Sequence, residues 1–202
     1  MMADAGPSRI AILGAESTGK STLAQTLARH YGTVWVPEYL REFVDTMGRV
    51  PFEDDQLAIA RTQRTREDAM ARLMEPGSLL FCDTTPLMTA VYSRVYWGRA
   101  PLELLELEAA HDYALTFVAA PDLPWVPDGL QRESEAVRLR VHETLLAVLE
   151  ARGIAYTLVT GEVAQRVGQV EAVIKSTCPS RGGGNPSSAA TDAKPGSPPA
   201  RG

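Results

Sequence analysis

Apolar positions between residues 9 and 175 alternate between short unbroken runs and helically spaced stripes. Arg9-Ile10-Ala11-Ile12-Leu13 is such a run, ends at a glycine and predicts a strand. Lys20 to His30 comes next, with Leu23, Leu27 and Tyr31 at helical spacing. Thr33-Val34-Trp35-Val36 is β-branched and aromatic, and Pro37 ends this second strand. Phe52 to Glu75 carries a long helical pattern, opened by Asp54 and Asp55 and stopped by Pro76-Gly77. Leu79-Leu80-Phe81-Cys82-Asp83 is a third strand with a charge at its carboxyl end. Thr85 and Pro86 read as N-cap and first residue of a helix running to Trp97 and closed by Gly98. The rest predicts a short helix over Leu102–Ala110, a strand over Tyr113–Ala119, a helix over Ser134–Ala151, a strand over Ala155–Val159 and a last helix over Val163–Lys175.

Unbroken apolar strands belong to sheets covered on both faces. Five of them, separated by helices and joined by right-handed crossovers, predict a three-layer α/β/α fold around a five-stranded parallel sheet. Ligands of such a fold sit at the carboxyl ends of the strands, so charged residues just after strands are the ones to weigh. Residues 1–8 read as a flexible N-terminus and residues 9–175 as the one folded domain. Residues 176–202 hold 5 Gly, 5 Pro and 5 Ser and no Val, Ile, Leu, Met, Phe, Trp or Tyr, so they are expected to be disordered.

The whole chain of 202 residues is 45% hydrophobic and 22% charged, the balance of a globular protein with a core. No apolar run is long enough to span a bilayer, and no signal peptide opens the chain, which leads to the expectation of a cytoplasmic protein without membrane partners. Cys82 and Cys178 cannot build a disulfide framework or a metal site at this spacing. A net charge of −5 argues against nucleic acid as a partner, because phosphate backbones need a basic face.

Gly14-Ala15-Glu16-Ser17-Thr18-Gly19-Lys20-Ser21 matches the phosphate-loop pattern G-x-x-x-x-G-K-S/T between a predicted strand and a predicted helix. Backbone N–H groups of Gly14, Glu16, Ser17, Thr18, Gly19 and Thr22 would surround nucleotide phosphates at the positive end of the helix. Lys20 would reach the β- and γ-phosphates and the Ser21 hydroxyl would ligate Mg²⁺, so ATP or GTP with magnesium is the expected ligand. Lys20 itself is expected to face solvent. A guanine-specific Asn-Lys-x-Asp segment is absent, and about 165 ordered residues leave no room for the extra helical domain of larger AAA ATPases. A kinase acting on a small metabolite fits.

Such a kinase needs a carboxylate, an acceptor pocket and an arginine that covers the phosphates. Glu38 follows the second strand and Asp83 the third. One would accept a proton and the other hold Mg²⁺ or orient substrate, against the plainer alternatives of a turn residue and a helix N-cap. Gln56 and Gln63 lie two turns apart on one helix face, positioned to read a carboxamide or base edge unless that face is simply solvated. Tyr39, Tyr92, Tyr96, Trp97 and Trp125 are the aromatic candidates, for stacking on a heterocycle or for the core. Pro121 to Glu133 carries three prolines, suits a lid, and brings Arg132 as its arginine, with Arg138 and Arg140 nearby. Thr160-Gly161-Glu162 comes after the fifth strand, where this topology places backbone beside the adenine ring.

These segments resemble one family. The phosphate loop with Thr22-Leu23, Pro37-Glu38-Tyr39 with Arg41-Glu42-Phe43, Asp55-Gln56 with Ile59-Ala60 and Gln63, Phe81-Cys82-Asp83-Thr84 with Tyr92-Ser93, and Pro121-Asp122-Leu123-Pro124-Trp125-Val126-Pro127-Asp128-Gly129-Leu130 are similar to the ribosylnicotinamide kinase domain of bacterial NMN adenylyltransferase/ribosylnicotinamide kinases of the NadR type. The resemblance spans about Arg9 to Lys175. It implies ATP-dependent phosphorylation of the 5′-hydroxyl of nicotinamide riboside, giving NMN for NAD salvage. The flat cationic pyridinium of that substrate suits aromatic faces and carboxylates. This sequence has Gln131 before Arg132 where the family carries an arginine at once, and it has neither His-x-x-His nor His-x-Gly-His for an adenylyltransferase. The expectation is a stand-alone kinase of open oligomeric state, with Lys20, Glu38, Asp83 and Arg132 as catalytic residues. The alternatives kept are a deoxynucleoside or nucleoside-monophosphate kinase and a nucleotide-sensing module.

Overall fold

The computed structural model describes residues 6–125 and 134–177. Its elements in chain order are β1 (Ser8–Leu13), α1 (Lys20–Tyr31), β2 (Val34–Val36), α2 (Tyr39–Met47), α3 (Gln56–Ala71), β3 (Leu79–Asp83), α4 (Pro86–Trp97), α5 (Leu102–Ala109), β4 (Leu115–Ala119), α6 (Glu135–Ala151), β5 (Thr157–Val159) and α7 (Val163–Thr177). A single 3₁₀ turn, Glu53–Asp55, leads into α3. The five strands form one parallel sheet in the order β2-β3-β1-β4-β5, as the unbroken apolar runs predicted.

Alternation along β1 sends Ile10 and Ile12 to one face and Ala11 and Leu13 to the other. The first pair packs with Phe81, Phe117 and the apolar stripes of α1 and α7, among them Leu23, Leu27, Val170 and Ile174. The second pair packs with Leu87, Val91, Val141 and Leu145 of α4 and α6. Farther along this face, α3 covers Leu80 and Cys82 through Met70 and Ala71. Both faces of the sheet are therefore dry, which leaves its carboxyl edge as the place where polar groups converge.

Boundaries shift in places. Helix α2 was not predicted, although Leu40, Phe43, Val44 and Met47 carry a helical spacing. Helix α3 stops at Ala71 rather than Glu75 because the N–H groups of Leu73 and Met74 turn back onto the carbonyls of Met70 and Ala71. Helix α7 runs two residues past Lys175, so Ser176 and Thr177 are ordered helix rather than tail, and Ser8 opens β1 rather than ending a flexible segment. The rest of the expected tail, the start of the chain and residues 126–133, with Arg132, lie outside the described residues. Among the described residues no helix is long and apolar enough to cross a membrane.

Glu67 of α3 is wholly buried and accepts hydrogen bonds from Gln63 and Tyr113. Burial pushes its pKa up from 4.5 to about 7, against those two bonds and the charges of Arg64 and Arg9. A carboxyl with a raised folded pKa holds a proton that the unfolded chain gives up. The stability that this group supports is then full below about pH 4.5 and lost as pH rises through 7. Glu67→Gln is expected to raise the melting temperature at pH 8, by at most the equivalent of about 3 kcal/mol, and to lose that advantage below pH 5. Thermal melts across pH check this, and a variant less stable than the parent at pH 8 would contradict it.

Candidate active site

The loop between β1 and α1 turns tightly. Gly14 has φ +151° and Gly19, the N-cap of α1, has φ +76°. A Cβ on Gly14 would stand 2.7 Å from Thr18 Oγ1 and 3.0 Å from the carbonyl of Ala119, so only glycine fits there. Thr18 Oγ1 donates to the carbonyl of Ala15 at 2.8 Å and closes the loop on itself. The result is a strand–loop–helix cradle at the positive end of α1.

Three charged residues meet beside this cradle. Lys20 is 5% exposed, Glu38 8% and Asp83 1%, and Lys20 Nζ lies 3.6 Å from Glu38 Oε2. The expectation of a solvent-facing lysine is corrected: Lys20 is buried beside Glu38 at the carboxyl end of the sheet. Glu38 is no solvated turn residue, and Thr85 rather than Asp83 caps α4. Burial and the negative charge of Glu38 push Asp83 up to about 6, while Lys20, the Ser21 hydroxyl and Arg41 pull the other way. Both Asp83 oxygens are buried with no hydrogen-bond partner among the described residues. Arg41, on the unpredicted α2, brings Nη2 to 3.5 Å from Ser21 Oγ and 4.0 Å from Glu38 Oε2. From sequence, Arg41 enters only through the family resemblance and without a role, because its place depends on a helix that was not recognised.

A cavity of about 290 Å³ opens from Lys20 and Glu38 toward α4. Glu16, Arg41, Val44, Gln56, Tyr92 and Trp97 are among its walls, with Tyr96 beside them. Tyr92 and Tyr96 stack with ring centres 6.3 Å apart, and Trp97 meets Tyr96 edge-on at 5.9 Å. Burial together with the carboxylates of Glu38 and Glu16 pushes the Tyr92 phenol well above 10. Gln56 is buried, so it does not belong to a solvated helix face, and it donates to the carbonyl of Phe52 at 3.3 Å.

Other expected site residues fall elsewhere. Gln63 is spent on protein groups: Tyr39 N–H, the Thr84 carbonyl and Glu67. The ring of Tyr39 lies under the guanidinium of Arg66, at 4.5 Å, and does not line the cavity. Trp125 is partly buried away from it. Thr22 is exposed on the first turn of α1. Gly161 lies across the crevice, where its N–H donates to Asp122 Oδ2 at 2.6 Å. Arg138 is buried and donates to the carbonyl of Leu123, and Arg140 to that of Val95, so neither is a free lid arginine.

Arg166, which the sequence did not single out, is buried and ties three loops together. It donates to the carbonyls of Thr18, Ala120 and Gly161 and pairs with Asp122. Its partners lie up to 148 residues away in the chain, a distance no local pattern spans.

Removing the Lys20 ammonium leaves Glu38 and Asp83 buried without their nearest cation. Lys20→Ala is therefore expected to abolish tight nucleotide binding and to cost the nucleotide-free protein on the order of 1–2 kcal/mol, about 3–6 °C in Tm. The cost should shrink below pH 6, where Asp83 takes up a proton. An unchanged Tm at pH 7.5 would contradict the buried ion cluster.

The chain is similar to the trifunctional NAD biosynthesis/regulator protein NadR of Salmonella typhimurium (strain LT2), with 29% identity over 143 residues, 68% of this chain and 34% of that protein. It thus spans about a third of that relative's length. Among solved structures, NadR protein in complex with NR has a TM-score of 0.72 at 21% identity, over 87% of this chain and 50% of that one. Thymidylate kinase from Candida albicans has a TM-score of 0.63 at 14% identity, over 85% of this chain and 92% of that one. These two likenesses show a shared fold of parallel sheet and phosphate loop. A family model described as an AAA domain matches residues 9–166, the sheet and its covering helices. The chain belongs to this AAA domain family, AAA_28.

Proposed function

We propose that the chain is an ATP-dependent kinase that phosphorylates the 5′-hydroxyl of nicotinamide riboside. One observation carries this proposal: a phosphate cradle and a cavity walled by two carboxylates and stacked aromatic rings meet at Lys20 and Glu38. A flat pyridinium cation finds there both a ring to lie on and compensating negative charge from Glu16 and Glu38. A nucleoside monophosphate would bring two negative charges into the same walls, whose cations, Lys20 and Arg41, stand at the phosphate-loop end. The similarity to NadR supports the same class of acceptor.

The loop amides and Lys20 hold the ATP phosphates. Ser21 and Asp83 fit Mg²⁺, because two buried carboxylate oxygens without a donor beside a hydroxyl are the hard oxygen ligands such an ion takes. When bound there, the ion would neutralise phosphate charge and steer the γ-phosphoryl. Glu38, which lines the cavity where Asp83 does not, takes the proton of the 5′-hydroxyl. As the O–H bond breaks, the oxygen bonds to the γ-phosphorus and the bond from that phosphorus to the ADP oxygen breaks. Lys20 and Arg41 neutralise the charge that develops on the transferring group. Arg132, the expected lid arginine, is a further proposed contributor to this charge balance. Gln56 faces the same cavity, and its amide oxygen suits the substrate's carboxamide N–H. Gly161, joined through Arg166 to the phosphate loop, suits the adenine side.

Purified protein with ATP and Mg²⁺ should release ADP at least about tenfold faster with nicotinamide riboside than with thymidine. Equal stimulation by thymidine would contradict the proposal in favour of a deoxynucleoside kinase, stimulation by thymidine monophosphate alone in favour of a nucleoside-monophosphate kinase, and stimulation by neither nucleosides nor monophosphates would leave a nucleotide sensor. Glu38→Gln should lower kcat by about 10²–10⁴ while nucleotide binding stays within about threefold. Full turnover in that variant would move the base to Asp83.

A further inference from the structure

Glu38 follows β2 and Asp83 is the last residue of β3, and the two are not paired with each other in the sheet. The last paired residues of β2 and β3 are Val36 and Cys82, so that ladder ends before either acid, while Asp83 pairs on its other side with Ile12 of β1. Neither Asp83 oxygen has a hydrogen-bond partner among the described residues, and Glu38 is held there by ion pairs to Lys20 and Arg41. Beyond that ladder, a side chain can fix the spacing of the segments that follow the two strands.

One side chain of α3 spans them. Gln63 Oε1 accepts the backbone N–H of Tyr39 at 2.9 Å, one residue past Glu38. Gln63 Nε2 donates to the carbonyl of Thr84 at 3.2 Å, one residue past Asp83. Its second hydrogen goes to Glu67 Oε1 at 3.1 Å. The orientation of the amide is settled by chemistry, since a backbone N–H requires the oxygen and a carbonyl requires the NH₂. Glu67, one turn further along, is in turn held by the hydroxyl of Tyr113, just before β4. Gln63 is buried, and both hydrogens of its amide are committed to these bonds. That leaves the amide no hydrogen to offer a carboxamide or base, and it makes Gln63 a bracket between the residues that directly follow the two acids.

We propose that Gln63 is a positioning residue for phosphoryl transfer, tying the turn after β2 to the turn after β3 so that Glu38 and Asp83 keep one spacing beside Lys20, with Glu67 and Tyr113 holding the amide in place. The consequence for transfer rests on the kinase function proposed above; the tie between the turns does not. Nucleotide binding depends on the loop amides and Lys20, which Gln63 does not touch. Loss of the bracket should therefore appear in turnover and not in nucleotide affinity.

Two variants test this. Gln63→Met keeps the volume and removes every hydrogen bond. Gln63→Asn keeps a polar amide too short to reach both backbone partners, and it carries the test if the methionine variant does not fold. Turnover of nicotinamide riboside, normalised to nucleotide-binding sites, is expected to fall about 10- to 100-fold, with the Kd for AMP-PNP within about threefold of the parent. Hydrogen exchange of the Tyr39 amide should quicken by at least about tenfold. A purely structural role would lower the melting temperature and the number of binding sites but leave kcat per site unchanged, and that result would overturn the proposal. So would unaltered exchange at Tyr39 in both variants. If the parent protein does not phosphorylate nicotinamide riboside at all, the function proposed above fails, and the exchange measurement alone still decides whether Gln63 ties the turns.

Discussion

The ammonium of Lys20, paired with the buried carboxylate of Glu38 and acting on that of Asp83, is the contact around which this structure is organised. Both faces of the sheet are covered by helices, and at its carboxyl edge three ionisable groups share a small, nearly dry space. Such a cluster is costly to assemble without a partner. Asp83 registers that cost in its raised pKa and its two unpartnered oxygens. A protein built for stability alone would not keep it; under the proposed function, a triphosphate and a metal ion would complete it.

Much of this was legible along the chain. The phosphate loop announces itself by residue type and spacing, and a strand before it and a helix after it give it its context. Unbroken apolar runs such as Ile10–Leu13 and Leu79–Cys82 point to strands covered on both faces, and a parallel sheet is the arrangement that covers them. Glu38 and Asp83 were found by asking which acids end a strand. Tyr92 and Tyr96 do meet in one cavity, because helical spacing carries over into a shared face, and Gln56 and Trp97 join them there through the packing of α3 on α4.

What stayed hidden depends on contacts between distant residues. Helix α2 was obscured by Pro37, which ends a strand without indicating the conformation of the residues after it, and with α2 went the placement of Arg41. The spacing of seven between Gln56 and Gln63 correctly puts both on a buried face, yet only the partners, 24 and 21 residues away from Gln63, separate a ligand contact from a structural bracket. The same holds for Arg166, whose bonds join the phosphate loop to the turns after β4 and β5. Burial of Lys20 could not be read from its neighbours either, since the walls that enclose it come from three separate segments.

If the buried acids serve an acceptor alcohol rather than water, the phosphoryl group must end on that alcohol. Phosphorus NMR of the protein incubated with ATP, Mg²⁺ and nicotinamide riboside follows the group to its destination. A new phosphate-monoester resonance that grows in step with ADP is the expected result. Growth of ADP with inorganic phosphate alone would contradict transfer to the alcohol.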